Sequence, residues 1–182
     1  MALKATIFKA ELEVADMDRE HYAAYSLTLA RHPSETDERM MVRLLAFALF
    51  ADAGLAFGKG LCVDDEPELW QRDATGAIER WIDVGLPDPK WIRKACNRAR
   101  RVVIVAYGGR QAEIWWRQAG ADLGRLDNLR VLALPQEASR ALAAMAARGM
   151  RLQCSIQDGI AWVTDGNSSV QVEPILLREE TG

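Results

Sequence analysis

A hairpin with one unfavourable charge pair constrains this sequence more than any other segment. The runs 68–74 and 77–84 have strand-like composition, and the Thr75-Gly76 turn between them sets a register in which Glu68 faces Asp83. The same register gives favourable or neutral pairs: Trp70 with Trp81, Arg72 with Glu79, and Ala74 with Ala77. Because directly opposed like charges destabilise a sheet by something on the order of several tenths of a kcal/mol, the acid pair predicts a neutralising cation.

Length and composition predict one soluble domain spanning residues 1–182. The chain has 182 residues, of which 49% are hydrophobic and 27% are charged. It is long enough to bury a core and too short to argue for two independent domains. Residues 1–6 lack a signal-type apolar core, and no apolar run approaches the roughly 20 residues of a membrane span. We therefore expect a cytoplasmic protein with no membrane association. The thiols are too far apart for a disulfide framework or a zinc site: Cys62, Cys96 and Cys154.

Alternating helix and strand signals predict an α/β fold. We expect a mixed central sheet flanked by helices, with additional antiparallel strands at the N-terminal and C-terminal ends. The predicted strands are 6–14, 22–30, 55–62, 68–74, 77–84, 102–106, 129–134, 151–157, 160–164 and 169–177. The predicted helices are about 35–52, 89–100, a short one carrying Trp115 and Trp116, and 136–148.

A third carboxylate, Glu38, occupies the apolar side of the first long helix. On a helical wheel it falls between Leu45, Val42 and Leu49, whereas the nearby arginines lie on the opposite side. A carboxylate facing a sheet needs a partner, and a place beside Glu68 and Asp83 would provide one. The alternative is that Glu38 caps the first turn or interacts favourably with the helix dipole.

The second long helix carries a local basic face that the net charge of −3 conceals. Its apolar stripe is formed by Trp91, Ile92, Ala95 and Ala99. The opposite face has no acid: Lys90, Arg93, Lys94, Asn97, Arg98, Arg100 and Arg101. A solvated amphipathic helix would also show this pattern. Because the helix directly follows the Asp83 strand, we favour a face that contacts the phosphates of a nucleic acid.

The acids resemble a degenerate PD-(D/E)xK nuclease motif, in which one acid opens a strand and an acid-x-lysine tripeptide ends the next. Pro67-Glu68 and Asp83-Val84-Gly85 match this pattern, with Gly85 in place of the lysine. The order of elements over about residues 34–107 is similar to the restriction-endonuclease-like α-β-β-β-α-β core of that superfamily. The whole chain also resembles the bacterial YaeQ family. The segments that carry this likeness are Ala2-Leu3-Lys4-Ala5-Thr6, Pro33-Ser34-Glu35-Thr36, Gly60-Leu61-Cys62, Asp64-Asp65-Glu66-Pro67-Glu68, Gly85-Leu86-Pro87-Asp88, Lys94-Ala95-Cys96 and Ile156-Gln157-Asp158-Gly159.

The resemblance implies a division of roles among these residues. Glu68 and Asp83 would bind Mg²⁺ or Mn²⁺, and Glu38 would bind a second ion or hold a metal-bound water. Lys94 would replace the missing lysine, and the nucleic acid would lie along Lys90, Arg93, Arg98 and Arg101. The alternatives are Asp64, Asp65 or Glu66 as the metal acid, and Lys90 or Lys59 as the lysine.

Two functions from different classes remain open. The first is a metal-dependent nuclease that cleaves phosphodiester bonds, favoured by three acids that would repel one another without an ion. The second is a nuclease fold without catalysis that binds nucleic acid or a protein partner, for example in transcription or repair, and the loss of the lysine at Gly85 favours it. A third interpretation is an aromatic ligand pocket of Trp70, Trp81, Trp115 and Trp116, although core packing explains these side chains more simply.

Overall fold

The computed structural model describes residues 4–59 and 65–181. The strands are β1 (Thr6–Asp16), β2 (His21–Arg31), β3 (Leu55–Phe57), β4 (Leu69–Arg72), β5 (Ile78–Val84), β6 (Ala99–Ala106), β7 (Leu129–Ala133), β8 (Gly149–Gln157), β9 (Ile160–Thr164), β10 (Ser169–Val172) and β11 (Ile175–Arg178). The helices are α1 (Asp37–Leu49), α2 (Pro89–Arg98), α3 (Arg110–Leu123) and α4 (Gln136–Ala143). None of the helices in this described part of the chain is long and apolar enough to span a membrane.

The described residues form a mixed α/β fold, as predicted, but they build two mixed sheets rather than one. The chain separates into two compact units: the residues up to Ala51 together with Glu137–Glu173, and Asp52–Gln136 together with the segment from Pro174. The predicted core over 34–107 therefore divides, with α1 in the first unit and β3 to β6 in the second. That the chain folds as one domain stays a prediction.

The first unit contains a five-stranded sheet in the order β10-β9-β8-β1-β2. Strands β1 and β2 form an antiparallel hairpin, and β1 pairs in parallel with β8. Alternation decides which face is buried: Phe8, Ala10 and Leu12 point into the core, while Lys9 and Glu11 are exposed. The two N-terminal strands and the strands β8 to β10 thus form a sheet of their own, joined by the parallel pairing of β1 with β8, whereas the last strand, β11, belongs to the other sheet.

The second unit contains a six-stranded sheet in the order β11-β7-β6-β5-β4-β3, in which β5, β6 and β7 are parallel. Helices α2 and α3 are the crossovers between these strands. The core includes Ile92, Val102 and Ile104. Trp81 is part of this core, and Trp70, Trp115 and Trp116 pack against it, as the core-packing interpretation predicts.

The boundary between α2 and β6 differs from the prediction. The helix ends at Arg98, and β6 begins at Ala99 because Ala99 pairs with Ile78 of β5. Sheet pairing therefore outweighs the good helix propensity of the two arginines that follow. Arg100 and Arg101 lie on a strand, so the prediction that they belong to the basic face of the helix is wrong.

The acid hairpin keeps the predicted register only near the acids. Leu69 pairs with Ile82, and Trp70 pairs with Trp81. A bulge after Gln71 then pairs Arg72 with Ile78, so the predicted pairs of Arg72 with Glu79 and Ala74 with Ala77 are wrong. The cause is the carboxylate of Asp73, which accepts hydrogen bonds from the amides of Thr75 and Ala77 and widens the turn.

Candidate functional site: the acid hairpin and the basic helix

The end of the β4–β5 hairpin brings Glu68 and Asp83 together. The amide N–H of Glu68 donates to Oδ1 of Asp83 at 3.1 Å, so the carboxylate of Asp83 lies against the backbone of Glu68. Leu69 and Ile82 are paired, and this register continued by one residue places the two acids opposite each other. Glu68 is 8% exposed, which is uncommon for an acid. The contact between these two residues is the hydrogen bond from the Glu68 amide to the Asp83 carboxylate.

Trp81 fixes the other oxygen of Asp83. Its indole Nε1–H donates to Oδ2 at 2.8 Å, because residues two apart on a strand share a face. The Trp81 ring contacts Trp70 edge to face, with centroids 6.4 Å apart. The guanidinium of Arg98 lies 5.2 Å from the Trp81 ring centroid, a cation–π contact. One indole ring thus links the acid hairpin to the basic helix.

Helix α2 starts where the sequence predicts. The side chain of Asp88 accepts a hydrogen bond from the amide of Lys90, and Pro89 occupies the first helical position. This start directs Ile92 and Ala95 into the core and leaves the basic side chains outside. The exposed face of α2 therefore follows from its cap and its apolar stripe.

Lys94 reaches the segment that precedes Glu68. Its ammonium lies 3.2 Å from Oδ1 of Asp65, and Arg98 donates to the backbone carbonyl of Asp65 at 2.9 Å. The ammonium also lies 5.1 Å from the ring centroid of Trp91. Within the described residues, the acid that Lys94 pairs with is Asp65, and neither Glu68 nor Asp83 forms an ion pair with it. Lys94 thus lies beside the loop that leads to the acid pair.

The other predicted cations differ in their surroundings. Lys90, Arg93 and Arg101 are exposed, and over residues 4–59 and 65–181 no acid lies within ion-pair distance of them. Arg101 is on β6 and pairs in register with Arg80. Lys59 lies 3.9 Å from Glu66. Asp64, one of the alternative metal acids, falls outside the described residues.

Glu38 lies in the first compact unit, whereas Glu68 and Asp83 lie in the second. It is half-buried on α1, and the hydroxyl of the buried Ser139 on α4 donates to its Oε1 at 2.8 Å. The cap of α1 is Thr36, whose hydroxyl accepts from the amide of Arg39, so Glu38 is not the cap. A hydroxyl from the same unit provides a partner for the inward carboxylate.

Gly85 shows why the tripeptide ends without a lysine. Its φ is +93°, a conformation that residues with a Cβ adopt at a cost, and its amide donates to the carbonyl of Val105 at 2.9 Å. Nothing crowds the position, since an added Cβ would meet only Tyr107 at 4.0 Å. The backbone, not the space around it, selects glycine.

Sequence reasoning named Trp81 and Asp65 but missed the contacts that they make in the site, the bond from the Trp81 indole to Asp83 and the ion pair of Asp65 with Lys94. The spacing of Trp81 and Asp83 on one strand is a signal that could have shown the indole–carboxylate bond. The contact of Asp65 with α2 has no local signal. In the part of the chain that the structure describes, no group of three or more histidine, cysteine, aspartate or glutamate side chains is arranged to hold a metal ion.

The fold defines a mixed α/β protein with two mixed sheets, in which the Asp83 carboxylate accepts a hydrogen bond from the backbone of Glu68 at a strand end. A family model described as YaeQ protein matches residues 1–174, and the chain belongs to the YaeQ family, as its sequence motifs predict. The Escherichia coli (strain K12) protein named "Uncharacterized protein YaeQ" is 49% identical over 172 residues, covering 94% of this chain and 95% of that protein. The Salmonella typhi protein of the same name is 47% identical over 173 residues, covering 95% and 96%.

Two solved YaeQ structures share the fold. The crystal structure from Xanthomonas axonopodis pv. citri aligns with a TM-score of 0.93 at 53% identity, covering 96% of this chain and 98% of that chain. The structure from Pseudomonas syringae aligns with a TM-score of 0.92 at 36% identity, covering 98% of both chains. The two-sheet architecture is thus common to these family members.

Proposed function

We propose that this chain is a nuclease-like protein that acts on phosphodiester bonds of nucleic acid, with Glu68 and Asp83 holding a divalent cation. The observation that carries the proposal is the bond from the Glu68 amide to the Asp83 carboxylate, which sets the two acids side by side at the end of the hairpin. The order of β3, β4, β5, α2 and β6 within the second unit supports the resemblance to the β-β-β-α-β part of the PD-(D/E)xK core.

The donor set fits Mg²⁺ or Mn²⁺. Mg²⁺ is usually bound by one or two carboxylates, with waters completing the octahedron. Both oxygens of Asp83 accept hydrogen bonds, Oδ1 from the Glu68 amide and Oδ2 from the Trp81 indole. The bonds from Glu68 and Trp81 hold the carboxylate in one orientation, so it need not be ordered when a cation binds. A bound ion would supply a more acidic water and neutralise phosphate charge.

The basic residues have separate roles in this proposal. Arg98 stacks on the Trp81 ring, whose indole holds Asp83, so its guanidinium is the cation tied most directly to the acids. Lys94 takes the place of the lysine absent at Gly85 and stabilises charge that develops on the phosphate. Lys90, Arg93 and Arg101 extend the positive surface along the nucleic acid.

A second function has its own support. Lys94 pairs with Asp65 rather than with either acid of the hairpin, and the left-handed Gly85 occupies the position of the motif lysine. These two features favour a protein that binds nucleic acid or a protein partner without cleaving it. The two functions differ in one measurable property, metal-dependent turnover.

A cleavage assay tests the proposal. Labelled single-stranded and double-stranded DNA and RNA are incubated with the purified protein and Mg²⁺, Mn²⁺ or a chelator. We expect metal-dependent cleavage that Asp83→Asn and Glu68→Gln each reduce by about 10²-fold or more, because each removes a ligand charge. Cleavage that Asp83→Asn leaves unchanged would come from a contaminant or another site and would contradict the proposal.

Basic-residue variants separate chemistry from binding. Lys94→Ala should lower turnover with little change in nucleic-acid affinity, whereas Arg98→Ala should weaken binding and reduce the salt dependence by about one ion. Arg100→Ala is the matched control, since Arg100 pairs with Glu79 at 3.3 Å, away from the acid end of β5. Binding that is salt-dependent and sensitive to Arg98→Ala, without cleavage by any preparation, would establish the second function instead.

A further inference from the structure

Strand β2 differs from the other three sheet edges. The two sheets end in β2, β3, β10 and β11. Strands β3, β10 and β11 contain three or four residues, whereas β2 contains 11. Proteins usually protect a long edge with charges, proline or a bulge, and the segment from Tyr22 to Ala30 has none of these. Among the described residues, β2 pairs with a strand on one side only.

The backbone groups that face outward from β2 can be identified. The amide of Lys9 donates to the carbonyl of Arg148, so Lys9 directs its backbone toward β8. Lys9 and Thr28 are therefore a non-hydrogen-bonded pair, and the backbone N–H and C=O of Thr28 point away from β1. By alternation the same holds for Tyr22, Ala24, Ser26 and Ala30. The guanidinium of Arg43 confirms the direction, because it donates to the outward carbonyl of Ala30 at 3.2 Å.

We propose that this edge binds a second copy of the same chain, with two β2 strands pairing antiparallel about a two-fold axis at Ser26. In this register Ser26 faces Ser26 of the second copy and Ala24 faces Thr28 of the second copy. The outward-facing residues all meet outward-facing residues in hydrogen-bonded pairs, and the carbonyl of Ala30, which already accepts from Arg43, would use its second lone pair. The two five-stranded sheets would become one continuous sheet. This inference does not depend on the proposed nuclease function.

Self-pairing is favoured over an unrelated strand because the edge is complementary to itself. The side chains on its exposed face between positions 22 and 30 are all uncharged, and all are small except Tyr22. Tyr22 is exposed and would face Ala30 of the second copy. No like charges therefore meet within this stretch. The symmetry is that of an isologous dimer, the commonest assembly of identical chains.

Cross-linking at the two-fold axis tests the register. Under mild oxidation Ser26→Cys should give a disulfide-linked dimer, because directly opposed Cα atoms in such a pair lie about 5.5 Å apart. Ala24→Cys is the matched control on the same exposed edge. Its two copies would be offset by four residues, roughly 13 Å along the strand, and should not link. The wild-type chain measures the background from its native cysteines. Equal linkage of both variants would overturn the register.

Charge variants test the interface without relying on oxidation. The double variant Ala24→Lys/Thr28→Glu places opposite charges across the axis and should dimerise in sedimentation velocity, whereas Ala24→Lys/Thr28→Lys should be monomeric. Within one chain Ala24 pairs with Glu13 and Thr28 with Lys9, so the first variant also suits its own hairpin. Melting temperatures show that both fold. A wild-type chain that stays monomeric at about 100 μM, or a dimer that both double variants preserve, would overturn the proposal.

Discussion

Arg43 donates from Nε and Nη2 to Oε1 of Glu35, at 3.1 and 2.6 Å, and both side chains are almost completely buried. A second arginine, Arg39, donates to the other oxygen of Glu35 at 3.1 Å. The acid immediately precedes the Thr36 cap of α1, so the pair ties the start of the helix to its second turn. The network also reaches β2 through the carbonyl of Ala30.

We expect Arg43→Met to destabilise the fold by about 3–5 kcal/mol, because it leaves the buried carboxylate of Glu35 without its main partner. The double variant Glu35→Leu/Arg43→Met should cost much less, since no buried charge remains. Urea unfolding of Arg43→Met, Glu35→Leu and the double variant gives the coupling free energy between the two side chains. Additive effects would contradict a direct buried pair.

We expect Gly85→Ala to cost about 1–2 kcal/mol of unfolding free energy, although there is space for the methyl group, because the backbone conformation at φ +93° disfavours a Cβ. Gly85→Lys, which restores the motif lysine, should carry the same backbone cost. Gly149→Ala is the control, because Gly149 has ordinary strand geometry and open space around it. Its unfolding free energy should stay within about 0.5 kcal/mol of the wild type.

Trp81→Phe should remove the hydrogen bond to Asp83 while keeping most of the ring packing. We expect a loss of about 1.5–3 kcal/mol of unfolding free energy, the range for a hydrogen bond to a charged group. Trp70→Phe is the matched control, since Trp70 shares the aromatic contact but does not bond Asp83. If the two variants lose equal stability in denaturant titrations, the indole–carboxylate bond contributes nothing measurable.

Burial raises the pKa of Cys154 to about 12 and that of Cys96 to about 11, in the first case with a further contribution from Asp16. The thiol form is thus favoured by folding, and its contribution to stability is complete below the unfolded-state pKa near 9 and is lost as the pH rises through 11 to 12. Unfolding free energies measured between pH 8 and 11 should therefore fall more steeply for the wild type than for Cys154→Ala.

The acid hairpin was predictable from the sequence because its cross-strand pairs are local. Only one register matches Trp70 with Trp81, and the same register aligns the acids. The bulge beside Arg72 was not predictable from these pairs, since it follows from the side chain of Asp73 bonding the turn backbone. The start of α2 at Pro89 was likewise predicted correctly, because Asp88 and Pro89 are a local signal for a helix start.

The remaining features depend on long-range contacts. The parallel pairing of β1 with β8 joins residues more than a hundred positions apart, and no periodicity along either strand specifies that partner. The same limitation applies to Asp65, whose contacts with Lys94 and Arg98 come from a distant helix. The inward position of Glu38 followed from helix geometry, but its bond to Ser139 required knowledge of where α4 packs.

The bulge in the acid hairpin separates the length of the turn from the position of the acids. Pairing is regular from Leu69–Ile82 to Gln71–Arg80. The extra residue of β5 lies in the bulge opposite Arg72, next to the turn. Residues added to or removed from the exposed Asp73–Ala77 turn would therefore change the bulge before they changed the register of Glu68 and Asp83. This turn is consequently the place in the hairpin where a peptide tag or a fluorophore can be inserted while the two acids stay aligned.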